Sequence, residues 1–224
     1  AGESTIYIYG VDNLTPTIHT IIPDRIVAST LMAASAVTGG ELILNGIISS
    51  HLDGVIPLFE EAGCNIKVRN SKLKIDSPNR LKPFKSVRTM PYPGFPTDAQ
   101  AVMMSVATVA KGTTVFVENI FESRYRHVED LTRLGANIKV ANKVAVVEGV
   151  DRLFGAKVVA KELRGAAALV VASLKAEGRT EIEGIKYLER GYEDLEVVLS
   201  SLGANIRNCL LYTSPSPRDY AASR

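Results

Sequence analysis

The chain has 224 residues, 46% of them hydrophobic and 22% charged, and its 26 basic and 24 acidic side chains leave a formal net charge of +2. That composition excludes a disordered or fibrous chain and is long enough to bury a core that needs no staples. The near-balance of charge excludes a general polyanion binder, nucleic acid included, while a few convergent arginines would still suffice for one phosphate site.

Residues 1–20 read as the end of a preceding unit and an interdomain strand. Pro23-Asp24-Arg25 then introduces an apolar stretch of helical length, Ile26 to Val37. A helix so poor in charge buries most of its surface. A glycine turn opens the β-like run Leu42-Ile43-Leu44, a helix follows and ends at Gly63, and Lys67–Asp76 reads as a hairpin around Asn70-Ser71. Cys64 reads as a small buried residue at a strand start, and with Cys209 as its only fellow it implies no disulfide framework.

The stretch RTMPYPGFPTDAQ, Arg88 to Gln100, follows. Its three prolines stiffen a loop that delivers Asp98 to a helix start, which suits binding or proton transfer; a rigid interdomain strap would read the same way. The grammar then repeats. A second apolar helix spans Ala99 to Ala110, Thr114–Val117 forms a strand, and a helix carries Val128, Leu131 and Leu134 before Gly135. A hairpin, Lys139–Glu148, turns at Asn142-Lys143. The third pass has Ala166 to Leu174, the run Thr180-Glu181-Ile182, and a helix whose inner stripe is predicted at Leu195, Val198 and Leu202 before Gly203. The matched glycines lie 72 and 68 residues apart. Units are therefore expected at about 21–90, 91–155 and 156–207, the last incomplete, with 208–224 a tail foreign to the fold.

Charge recurs at equivalent places. Asp24, Asp98 and Glu162 each precede an apolar helix, as N-caps or as a cluster around one cleft; the residues alone leave both open. Arg124 and Arg190 each stand 12 residues after a glycine, follow a glutamate (Glu122, Glu189) and precede a tyrosine (Tyr125, Tyr192). Surface ion pairing is one reading. A ring of Arg25, Arg124, Arg164 and Arg190 holding phosphate or carboxylate is the other. His19, His51 and His127 lie too far apart to suggest a metal site. No secretory signal or bilayer-length apolar run is visible, so a cytoplasmic location without membrane contact is expected.

TMPYPGFPTDAQ, ENIFESRYRHVEDLTRLGANI, ELRGAAALVVASLKAEGRTEI and LERGYEDLEVVLSSLGANI resemble successive motifs of the UDP-N-acetylglucosamine 1-carboxyvinyltransferases, in the enolpyruvyl transferase family. PDRIVASTLMAASAVTGGELILNG resembles the block before them, and the resemblance covers about residues 3–207. It implies an inside-out α/β domain of repeated βαβαββ units around buried helices. It also implies transfer of the enolpyruvyl group of phosphoenolpyruvate to the 3′-hydroxyl of UDP-N-acetylglucosamine, with phosphate released and no metal or organic cofactor. This is the committed step of peptidoglycan synthesis. By motif, Asp98 matches the aspartate beside that hydroxyl, and Arg124 and Arg190 match arginines near phosphoenolpyruvate, so Asp98 and Arg190 are implied as catalytic. Arg25, Ile120, Glu122, Glu162, Leu163 and Arg164 fall at positions implied to bind substrate.

Two departures stand out: Glu162 replaces a shorter aspartate, and Val27-Ala28-Ser29 replaces Glu-Thr-Gly. The family's first domain, with its reactive cysteine loop, is a further implied partner. Without it the chain is expected not to turn over. The readings left beside this one are the sibling acting on shikimate 3-phosphate and a non-catalytic sugar-nucleotide-binding module.

Overall fold

The computed structural model describes residues 6–209. All but the first two residues of the tail read as foreign lie outside the described residues. Residues 6–24 form no helix or strand.

The first unit begins with α1 (Arg25–Thr38), started by Asp24, whose carboxylate accepts the N–H groups of Ile26 at 2.7 Å and Val27 at 3.4 Å. Of the two readings left open for this acid, N-capping is the one observed. There follow β1 (Glu41–Asn45), α2 (Ile56–Glu61), β2 (Asn65–Arg69) and β3 (Lys72–Asp76). The strands form an antiparallel sheet of order β1-β3-β2, in which Leu44 faces Leu73 and Leu42 faces Ile75. Leu44, Leu73 and Ile75 are buried, whereas Lys67 and Ile43, on the other face, are exposed; this is the alternation of a half-buried sheet. The hairpin turns at Asn70, in the left-handed region with φ 55°.

The second unit is the complete one: β4 (Ser86–Arg88), α3 (Thr97–Thr108), β5 (Thr113–Val117), α4 (Val128–Arg133), β6 (Asn137–Ala141) and β7 (Val144–Glu148). Its sheet has the order β4-β5-β7-β6, with β4 parallel to β5 and the remaining pairs antiparallel. The third unit contributes β8 (Lys157–Val159), α5 (Leu163–Ser173), β9 (Glu181–Glu183) and α6 (Leu195–Ser201), with β8 parallel to β9. Set against the βαβαββ order of the second, the first unit lacks its opening strand and the third its closing hairpin among the described residues.

Helices α1, α3 and α5 pack on one another in the middle of the molecule. Their sequences explain how: Ala33, Ala36, Ala99, Ala107, Ala166 and Ala167 are all buried, and small side chains let helix axes approach closely. The Ser105 hydroxyl of α3 donates to the Ala168 carbonyl of α5 at 2.7 Å, replacing a bond to water inside the core. Met32, Met103 and Met104 fill the remaining space, and Phe84 meets Phe116 edge to face with ring centroids 6.4 Å apart.

The short outer helices leave αR through matched glycines, Gly63, Gly135 and Gly203, with φ of 97°, 94° and 100°. A side chain at these angles would be strained, so the same residue recurs at the same turn. One periodicity is corrected. On α6 the buried residues are Leu195 and Leu199, while Val198 is 37% and Leu202 54% exposed. The helix is only two turns long, and its i, i+4 pair faces the core; the predicted 195/198/202 stripe is rotated off that line.

Candidate functional site

Asp98 sits in the first turn of α3, after a loop that is held rather than merely stiff. Within it Met90 N–H donates to the Phe95 carbonyl at 2.9 Å, and Phe95 is buried. Gly94 packs so tightly that a Cβ there would come within 2.6 Å of Met90 Cβ. Pro96 occupies the N-cap and offers no side-chain cap, and Asp98 makes no capping bond either. Its carboxylate instead accepts from Arg124 Nη2 at 2.5 Å and from Arg164 Nη2 at 3.3 Å.

Glu162, the N-cap of α5, also makes no capping bond. One of its oxygens lies 3.7 Å from Arg124 Nη1 and the other 3.7 Å from His127 Nδ1. Two of the three repeated acids therefore share one guanidinium group, and of the three only Asp24 makes a side-chain capping bond. Burial pushes the Glu162 carboxyl up, but His127, Arg124 and Arg126 outweigh it and hold the group below its ordinary value.

Arg124 and Arg164 keep only about 15% and 14% of their side-chain surfaces exposed, while Asp98 keeps 43%. Two nearly buried cations therefore meet one half-open anion. Arg124 Nε and Arg164 Nη1 have no hydrogen-bond partner among the described residues. Arg124 also lies over the exposed ring of Phe121, 5.0 Å from its centroid. Arg164 lies over the Tyr192 ring at 5.9 Å, and the Tyr192 hydroxyl is 2.8 Å from Thr30 Oγ1 on α1. Burial raises the Tyr192 hydroxyl above its ordinary value despite the help of Thr30 and Arg164. Burial opposes the charge on Arg164, yet Tyr192 and Asp98 raise it above the ordinary arginine value.

The other residues singled out in the sequence are placed around this centre. Ile120 and Glu122 are exposed on the loop between β5 and α4, on either side of Phe121. Leu163, between Glu162 and Arg164, is half-buried and faces Gly191, where a Cβ would come within 2.9 Å of it. Arg190 is exposed and forms no ion pair among the described residues. It lines an open concavity of about 620 Å³ with Val27, Ile185, Glu189, Tyr192 and Leu195. Arg25 stacks at 5.1 Å on Tyr92 of the proline loop. The structure thus gathers Arg124 and Arg164 at Asp98, places Arg190 in the concavity it shares with Tyr192, and leaves Arg25 on the Tyr92 ring.

Sequence reasoning missed Glu118, Phe121 and the Glu162–His127 contact. Glu118 ends the apolar run Val115-Phe116-Val117 and reads as the polar end of a strand. In the sequence His127 stands out only as a candidate metal ligand without partners, because Glu162 lies 35 residues away. Among the described residues no cluster of His, Cys, Asp and Glu has a metal-binding arrangement, and no helix is long and apolar enough to cross a membrane.

The family model for EPSP synthase (3-phosphoshikimate 1-carboxyvinyltransferase) matches residues 1–199. A UDP-N-acetylglucosamine 1-carboxyvinyltransferase of Caldanaerobacter subterraneus is 49% identical over 92% of this chain and 49% of its own length. Another, from Desulfofundulus thermocisternus, is 47% identical, and the match covers 85% of it. The chain belongs to the enolpyruvyl transferase family, in its UDP-N-acetylglucosamine 1-carboxyvinyltransferase branch. Among solved structures, the enolpyruvyl transferase NikO of Streptomyces tendae superposes with a TM-score of 0.77 at 28% identity, covering 84% of this chain and 45% of that one. An EPSP synthase of Acinetobacter baumannii superposes with a TM-score of 0.66 over 85% of this chain and 44% of its own, but at 18% identity that likeness shows the enolpyruvyl transferase fold alone. The chain spans about half the length of most of the curated relatives it matches.

Proposed function

We propose that this chain supplies one wall of an active site that transfers the enolpyruvyl group of phosphoenolpyruvate to the 3′-hydroxyl of UDP-N-acetylglucosamine, with release of phosphate. The observation that carries the reading is the convergence of Arg124 and Arg164 on Asp98, with buried guanidinium donors left over. A carboxylate at a helix start, half open to solvent, is suited to take or orient a hydroxyl proton. Paired guanidinium forks in a nearly buried position are suited to the anionic oxygens of a phosphate or a developing carboxylate. Arg190, in the concavity it shares with Tyr192, would meet the same anion once a second wall closes that concavity. Glu162 keeps the charge of the family's shorter acid and holds Arg124 from behind.

The reading assigns this chain no turnover by itself, because the cation cluster faces an open surface and the family's cysteine loop belongs to the other domain. The test joins residues 1–207 to the first half of the Caldanaerobacter relative and measures phosphate release from phosphoenolpyruvate. Release that depends on UDP-N-acetylglucosamine is expected. Release with shikimate 3-phosphate instead would assign the sibling reaction, and none with either acceptor would favour a binding module.

A further inference from the structure

Glu118 follows β5 and is 1% exposed, yet it forms no ion pair among the described residues. A buried carboxylate is tolerated only when its lone pairs are filled. Here they are filled by neutral donors from three places. One oxygen accepts the Thr89 hydroxyl at 2.9 Å and the N–H groups of Ile120 at 2.8 Å and Phe121 at 3.1 Å. The other accepts the Thr97 hydroxyl at 2.9 Å. The Thr89 oxygen in turn accepts the Asn119 N–H at 2.8 Å, and Asn119 Nδ2 donates to the Thr89 carbonyl at 3.2 Å.

These partners are the roots of the two segments that meet at Asp98. Thr89 begins the proline loop, and Thr97 ends it as the first residue of α3, directly before Asp98. Ile120 and Phe121 begin the loop that carries Arg124. The far end of that loop is pinned by the Tyr125 hydroxyl, whose single proton is shared between the Phe116 and Lys143 carbonyls at 3.3 and 3.1 Å. Since α3 has no side-chain N-cap, the Thr97–Glu118 bond ties its first turn to the neighbouring loop at a point separate from the Asp98–Arg124 pair.

We infer that Glu118 is a positioning residue: by holding Thr97 and the Ile120–Phe121 backbone on one carboxylate, it sets Asp98 against Arg124. The kinetic consequence rests on the enolpyruvyl transfer reading; the clamp itself does not. A misplacement of about 1 Å at a reacting group can cost roughly a hundredfold in rate, so loosening the clamp should appear in kcat before it appears in stability.

The test uses T97V, which removes only the hydroxyl tie, T97S, which restores it, and E118A, which removes the carboxylate. On the 224-residue chain, hydrogen exchange followed by mass spectrometry should quicken in segments 89–100 and 118–126 of T97V and E118A and nowhere else. Unchanged exchange there in T97V overturns the clamp, and T97V keeps the test open if E118A fails to fold. In the joined two-half protein, T97V should lower kcat roughly ten- to a hundredfold, with KM for phosphoenolpyruvate within about threefold, and T97S should recover most of it. A T97V protein with loosened segments but full kcat overturns the positioning role. So does a loss that T97S does not rescue. If the unsubstituted joined protein releases no phosphate, the enolpyruvyl reading fails, and the exchange result still decides the clamp.

Discussion

At Asp98 one carboxylate faces two guanidinium groups, and Glu162 supplies a second negative charge behind Arg124. With 43% of its side chain exposed, Asp98 is well screened, and such pairs contribute at most about 1 kcal/mol to stability. D98N keeps an acceptor for both arginines. It is therefore expected to shift the unfolding free energy by no more than about 1 kcal/mol while lowering transfer in the joined protein by about 10²–10⁴-fold. Urea unfolding and phosphate release on the same preparations check the two halves of that statement.

Glu162 behaves differently because it is more buried. Its carboxyl lies below the ordinary value of 4.5, so folding favours the charged form. The stability this adds is fully present above the ordinary carboxylate value and is lost as pH falls through the lower, folded one. Thermal unfolding of the native chain and of E162Q should therefore converge as pH falls from 6 towards 3; parallel curves would show that Glu162 gains nothing from His127 and Arg124.

Among the elements, α6 offers the sharpest check on what burial pattern means here. Leu199 is 3% exposed and Leu202 54%. L199A should destabilise the chain by about 2–5 kcal/mol, whereas L202A should stay within about 0.5 kcal/mol; equal effects in urea unfolding would restore the stripe read from sequence. The long helices were legible because α1, α3 and α5 lie on almost charge-free runs of Ala, Val, Met and Ser, and nothing but burial suits such a run. The hairpins were legible because alternation flanks Asn70 and Asn142, which turn the chain in the left-handed region. A two-turn helix with apolar residues at 195, 197, 198 and 199 and Leu202 at its C-cap fits more than one stripe, and only packing chooses between them.

The site divides in the same way. Asp98, Arg124 and Arg164 stood out because charge interrupts the repeat at matched positions. Glu118 did not, because its partners Thr89 and Thr97 lie 29 and 21 residues away and carry no charge of their own. Asp24 and Asp98 look alike in sequence, yet one caps its helix and the other faces arginine. The difference is Pro96, which takes the N-cap position and frees Asp98 for the first turn.

For the molecule as a whole, the repeat makes the unfilled positions visible. In the second unit β5 is flanked on both sides, by β4 and by β7. Its counterparts are each paired on one side only among the described residues, β1 with β3 and β9 with β8. An unpaired strand offers a row of free N–H and C=O groups to another chain. Ile43 of β1 is 53% exposed, and Ile8 and Ile18, from the stretch before α1, are 87% and 100% exposed. The isolated 224-residue chain should therefore associate as its concentration rises, with little dependence on salt because the contact is backbone and apolar surface rather than charge. A lysine on an edge strand discourages such pairing, so I43K should reduce the association seen by sedimentation velocity, at a cost to unfolding of about 1 kcal/mol because position 43 lies directly opposite Lys74. Joining the chain to the first half of a relative should suppress association further if that half covers the β1 edge. If I43K associates as strongly as the parent chain, the contact lies elsewhere, and the apolar stretch at residues 6–22 becomes the surface to test.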